Sequence, residues 1–127
     1  MSALSVRTDV AEHYTRHDLM TFEYVPDSTF SPGDGALIVT PAENWITRDD
    51  DDVSFDDVVV NLELILVVEY RADNESATTQ LEAALSTVIA HRPEWLALGN
   101  VTAPDLLSNG DWNHYGCRIT AKTITTL

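Results

Sequence analysis

The chain has 127 residues, 44% of them apolar, with 21 acidic against 7 basic residues and a formal charge of −14. That apolar content supports one core in a single domain spanning 1–127, while the acidic balance argues against nucleic-acid binding, which needs clustered Lys and Arg. The lone Cys117 cannot form an internal disulfide, and no apolar run approaches the roughly 20 residues of a membrane-spanning helix.

In chain order, the spacing of Leu4, Val6, Val10 and Tyr14 predicts a helix over residues 3–18, with Arg7, Glu12, His13 and Arg16 on its polar side. TFEYV follows as a short extended piece, and PDSTFSPGDG, dense in Pro, Gly, Asp and Ser, reads as a loop. ALIVT, residues 36–40, is a β-branched run bounded by Gly35 and Pro41 and predicts a strand. PAENWITRDDDD is expected to be a loop carrying four consecutive aspartates.

The next strand alternates strictly. Val58, Val60, Leu62, Leu64, Leu66, Val68 and Tyr70 share one face. Asp57, Val59, Asn61, Glu63, Ile65, Val67 and Glu69 share the other, a mixed face expected to be partly covered, with a partner as one candidate cover. A helix follows in RADNESATTQLEAALSTVIAHRP. Asp73 or Asn74 can cap it, Ala77, Leu81, Ala84, Leu85 and Val88 form its stripe, and Pro93 ends it. A short strand near 98–103, a loop around Asn109–Gly110 and a closing strand in YGCRITAKTITTL complete the chain. Helix, strands, helix, strands predicts an α+β domain, with two helices packed on a mostly antiparallel sheet.

The aspartate run does not satisfy the calcium-loop pattern: counted from Asp50, the turn glycine position is Phe55 and the final bidentate position is Asn61. His13 and His17 have the spacing of a helical metal pair, but Arg16 between them opposes a second cation. His91 suits a helix C-terminus, where a positive ring meets the negative end of the dipole. Cys117 sits in an alternating strand and is expected to be a small buried residue. The sequence contains no GxSxG, Walker or GxGxxG motif. No metal, cofactor or catalytic residue is expected.

The segments ALIVTPAENWIT, then DVVVNLELILVVEYRADNESATTQLEAALSTVIAHRPEWLALGNVTAP, then YGCRITAKTITT together resemble the tail terminator (tail completion) proteins of long-tailed bacteriophages, in particular versions from phages of actinobacteria. The similarity is one of layout over roughly residues 36–126: a short apolar strand ending near a Pro and an aromatic, a long apolar strand, an acidic turn, an Ala-Leu striped helix, a Trp–Val segment and a Thr-rich final strand. It implies a structural protein without catalytic residues. It also implies a homo-oligomeric ring, typically a hexamer, that caps the tail tube, ends its growth and docks the head–tail connector, with DNA passing through the opening. Such a protein is assembled in the host cytoplasm and ends in the virion neck.

On this reading a negative inner surface lets DNA slide, and the acidic loop Arg48, Asp49, Asp50, Asp51 and Asp52 repels its copies until a partner, or screening by divalent ions, favours closure. The expected contact surfaces are that loop through Asp57, the acidic Glu63 and Glu69, and the segment Asn109–Tyr115 with Trp112 and His114. Trp112 is either an aromatic anchor for a partner or an edge of the core. The rival readings are another neck protein or an acidic DNA-mimic inhibitor. The mimic predicts a row of acids along an exposed face, and the second helix offers only Glu75 and Glu82 there.

Overall fold

In the computed structural model, residues 2–48, 56–69 and 73–126 are described, apart from the Asn74 side chain. After a 3-10 turn at Ala3–Ser5, the helix α1 runs Val6–Thr15, shorter than the predicted 3–18. The 3-10 turn winds more tightly than an α-helix, so Leu4 does not join the stripe and is 71% exposed. Val6, Val10, Ala11 and Tyr14 form the buried face instead. Beyond Arg16, Asp18 takes a left-handed backbone at φ 66° and turns the chain into the strand β1, Met20–Phe22.

The strand β2, Ala36–Thr47, is far longer than the expected 36–40, and the predicted loop PAENWIT belongs to it. Pro41 is tolerated because β1 pairs with β2 only at 36–38, which leaves the 41–47 stretch on a sheet edge where no ladder bond is lost. A bulge between Pro41 and Ile46 absorbs the extra residues, and Ile46 and Thr47 then pair with Val60 and Val59.

The strand β3, Asp57–Val68, lies at the centre and pairs antiparallel with β2 on one side and with β6, Trp112–Thr126, on the other. Its helix-facing residues Val58, Val60, Leu62, Leu64, Leu66 and Val68 are all buried, as the alternation predicts; Tyr70 lies outside the described residues. The helix α2, Asn74–Ala90, is capped by Asp73, whose carboxylate accepts from the Glu75 amide at 3.0 Å and the Ser76 hydroxyl at 2.8 Å.

The strand β4, Ala97–Val101, pairs with one half of β6. The strand β5, Asp105–Asn109, pairs with the other half, through a tight turn in which Gly110 supplies φ 59°. Nothing in the sequence predicts β5, because its residues neither alternate nor favour strands. The sheet order is β1-β2-β3-β6-β4, with β5 also on β6, and among the described strands only the β1–β2 pair is parallel. The domain is therefore α+β, with both helices against a mostly antiparallel six-stranded sheet.

Both helices pack on the same face, where Val10, Tyr14, Leu81, Ala84 and Val88 meet Leu37, Leu64, Leu66, Cys117 and Ile119. The Tyr14 hydroxyl donates to the Val88 carbonyl at 2.7 Å and joins α1 to α2 inside this core. A second, smaller core lies on the opposite face, made of Ala36, Ile38, Ile65, Val67 and Trp112, with Phe22, Phe30 and Leu107 against it.

Candidate functional site

The second sheet face divides into a closed half and an open half. In the closed half the chain covers itself, with the segment between Glu23 and Asp34 crossing Ile65 and Val67. An irregular segment exposes carbonyls that need donors, and β5 and β6 supply them. Trp112 Nε1 donates to the Pro26 carbonyl at 2.6 Å, and Asn109 Nδ2 reaches the same oxygen at 2.8 Å. His114 Nε2 lies 2.9 Å from the Phe30 carbonyl and donates to it, while Nδ1 is buried and makes no hydrogen bond among the described residues. The Phe30 ring stands edge-on to Trp112 and to His114, at 5.2 and 4.7 Å between centroids.

This geometry corrects two expected contact residues. Trp112 is 4% exposed and His114 9%, so both are core residues that tie down the chain's own loop and present no anchor to a partner. Asn109–Tyr115 is likewise a hairpin end rather than a free loop. The cover expected over the apolar part of β3's second face is the chain itself.

In the open half, Glu63 and Arg118 form a salt bridge at 2.6 Å across β3 and β6. Beside it lies a trough of about 540 Å³, floored by Asn61, Thr120 and Lys122 and walled by the β2 bulge at Ala42–Asn44 and by Ala97 and Gly99 of β4. Asn61 Nδ2 donates to Thr47 Oγ1 at 3.1 Å. Gly99 has no room for a side chain, since a Cβ there would fall 2.4 Å from Thr120 Oγ1. Amides and hydroxyls, the Glu43 carboxylate and the Lys122 ammonium, set among alanine and leucine side chains, make this a mixed surface for hydrogen bonding and shape recognition. It joins residues from four strands, which sequence spacing alone does not bring together.

Of the other expected contact residues, Arg48 and Glu69 are exposed and Glu63 is half-buried in its pair with Arg118. Asp49, Asp50, Asp51 and Asp52 lie outside the described residues.

A third cluster forms where α1 meets the end of α2. His17 and His91 stack with centroids 4.1 Å apart and planes 15° from parallel, and His13 Nε2 lies 2.6 Å from the His91 carbonyl. Stacked rings cannot both direct an in-plane lone pair at one metal ion. Among the described residues, no group of three or more His, Cys, Asp or Glu is placed to hold a metal. Desolvation in the stack, then the neighbouring His91 and His13, push the His17 pKa down. Helical spacing alone pairs His13 with His17, whereas His91 joins them through a contact between distant parts of the chain that no local pattern signals.

Burial pushes the Cys117 thiol pKa up, consistent with an inert core cysteine. No family model matches this chain, and no curated protein matches it.

Proposed function

We propose that the chain is a structural protein that assembles as a ring on the end of a phage tail tube, ends tube growth and joins the tail to the head–tail connector. The reading rests on the sequence layout. The segments that carry the resemblance fold as β2, β3, α2, β4 and β6, in that order along the chain with only β5 intervening. A charge of −14 suits a channel wall past which DNA phosphate slides without sticking. The open half of the second sheet face offers a mixed polar and apolar, contoured surface of the kind that a neighbouring subunit or the tube covers. In this reading the protein acts by shape and charge; its partners are its own copies, the tail tube protein and the connector.

Two experiments test it. Negative-stain electron microscopy of concentrated protein, with and without Mg²⁺, should show closed rings with a hole wide enough for duplex DNA. Added to growing tubes of the same virus's tail tube protein, it should cap them and shorten their length distribution. Tubes that grow unchanged in the presence of excess protein would overturn the reading. Capture of a DNA-binding protein in their place would favour the acidic-inhibitor reading.

A further inference from the structure

The sheet ends in two opposite margins, and the exposed apolar residues collect on both. Among the described residues, eight large apolar side chains are exposed, and six of them lie at these margins. Met20, Tyr24 and Val25 lie on β1 or just beyond it. Ile89, Val101 and Leu106 lie at the end of α2, on β4 and on β5.

The β4 margin is built like a strand-accepting edge. Trp95–Pro104 is the longest run of the sequence without a charged residue, ten residues in a chain of charge −14. Ala97 to Pro104 is exposed except for half-buried Leu98. Monomeric proteins usually guard such an edge with Lys, Glu or Pro, and here the protection is limited to the bulge after Leu98 and to Pro104 beyond the end of β4. The Asn100 amide turns inward to Thr120 Oγ1 at 2.9 Å, and the Thr102 amide turns inward to the Arg118 carbonyl at 2.9 Å. Alternation along the strand therefore directs the Val101 amide outward. Alongside runs a groove of about 540 Å³, lined by Ile89, Arg92, Leu98, Val101 and Ile119.

The complement is on the same molecule. The opposite margin presents β1, Met20–Phe22, followed by a bend at Glu23 and Tyr24, with Met20, Tyr24 and Val25 exposed, Asp18 and Glu23 as its acids and Arg7 held on the Glu23 carbonyl. The β4 margin has Arg92 in its groove and Lys122 paired opposite Ala97, with Glu94 and Asp105 only beyond the ends of the strand.

We propose that the Met20–Val25 margin of one copy adds to the Ala97–Val101 edge of the next. The sheet then continues across subunits, and side chains of the incoming segment fill the groove beside Ile89. The contact joins two different surfaces, so it is heterologous and closes into a ring where the rotation between copies permits. This assigns the subunit contact of the ring proposed above and rests on that reading for its biological setting.

The test uses two full-length variants, Met20→Cys and Val101→Cys, each at a position about two-fifths exposed. They are treated with a short bis-maleimide, separately and mixed. The expected result is a crosslinked dimer in the mixture alone, with the 20–101 linkage identified by peptide mass spectrometry. Val101→Lys should abolish self-association in sedimentation velocity with an unchanged circular dichroism spectrum. Leu4→Lys, exposed in the 3-10 turn before α1 and on neither strand edge, should leave association intact. A crosslink in Val101→Cys alone, association that survives Val101→Lys, or monomers without any crosslink at high concentration would each overturn the inference. Tubes capped by a protein that gives no 20–101 linkage would remove the edge assignment and leave the ring reading standing. A 20–101 linkage in a protein that fails to cap tubes would do the reverse.

Discussion

The face of the sheet beneath α1 and α2 is closed by two striped helices, whereas the opposite face is closed over only one half, by an irregular segment. The helices satisfy their own backbone, so apolar side chains alone can attach them. The segment between Glu23 and Asp34 cannot do so. It needs donors from Trp112, Asn109 and His114, and these polar handles sit among aromatic rings. The same contrast explains why a tryptophan that looks like a binding anchor is a structural clamp.

Substitutions should separate these modes of closure. Leu64→Ala, in the helix-covered core, should cost about 2–5 kcal/mol and lower the denaturant midpoint of the whole molecule. Trp112→Phe keeps an aromatic ring but removes the donor, while Asn109 still serves the Pro26 carbonyl. A loss of about 1–2 kcal/mol is expected, together with faster limited proteolysis between residues 23 and 34. Equal protection of that segment in mutant and parent would break the distinction drawn here.

Tyr14→Phe tests the helix–helix seam and should cost about 1 kcal/mol. Burial, offset in part by Arg92, pushes the Tyr14 phenol up to about 12. Because the folded value is raised, its contribution is present below the ordinary 10.0 and fades as the pH climbs toward about 12. Alkaline denaturation curves of the parent and Tyr14→Phe should therefore converge across that window.

On the open half, Glu63→Gln should change stability by no more than about 1 kcal/mol, because its ion pair with Arg118 is solvent-screened. A clear loss of assembly with unchanged stability would mark this half as a contact face. The smallest effect is expected at the histidine stack, which also faces Arg16 and Asp18. With its pKa held below 6.5, His17 resists protonation in the folded state, so stability falls as the pH drops through the ordinary histidine range. His17→Gln should flatten that part of the melting temperature against pH profile.

The elements with strong periodicity were legible in the sequence. The two-sided β3, the α2 stripe and its Asp73 cap, and buried Cys117 all follow from alternation, helical spacing and local hydrogen-bond chemistry. The errors share one cause. Pro41 looked like a terminator until β2 proved to be an edge there, and β5 had no pattern of its own because β6 supplies its pairing. Asn61, Thr120, Lys122 and Gly99 meet in the trough only because β3, β6 and β4 are neighbours, and His91 reaches His17 only because α1 and α2 lie side by side.

Residue order alone carried the fold class, the central strand and the acidic character of the surface, since periodicity and charge are local properties that survive without neighbours. Which residues cover the second face, where the sheet stops and which edges stay open were decided by the tertiary structure. Those outcomes depend on partners far apart in the chain. Trp112 is an instance: an aromatic in a polar, turn-rich segment suits a surface anchor or a core edge alike, and the carbonyl of Pro26 makes it part of the core.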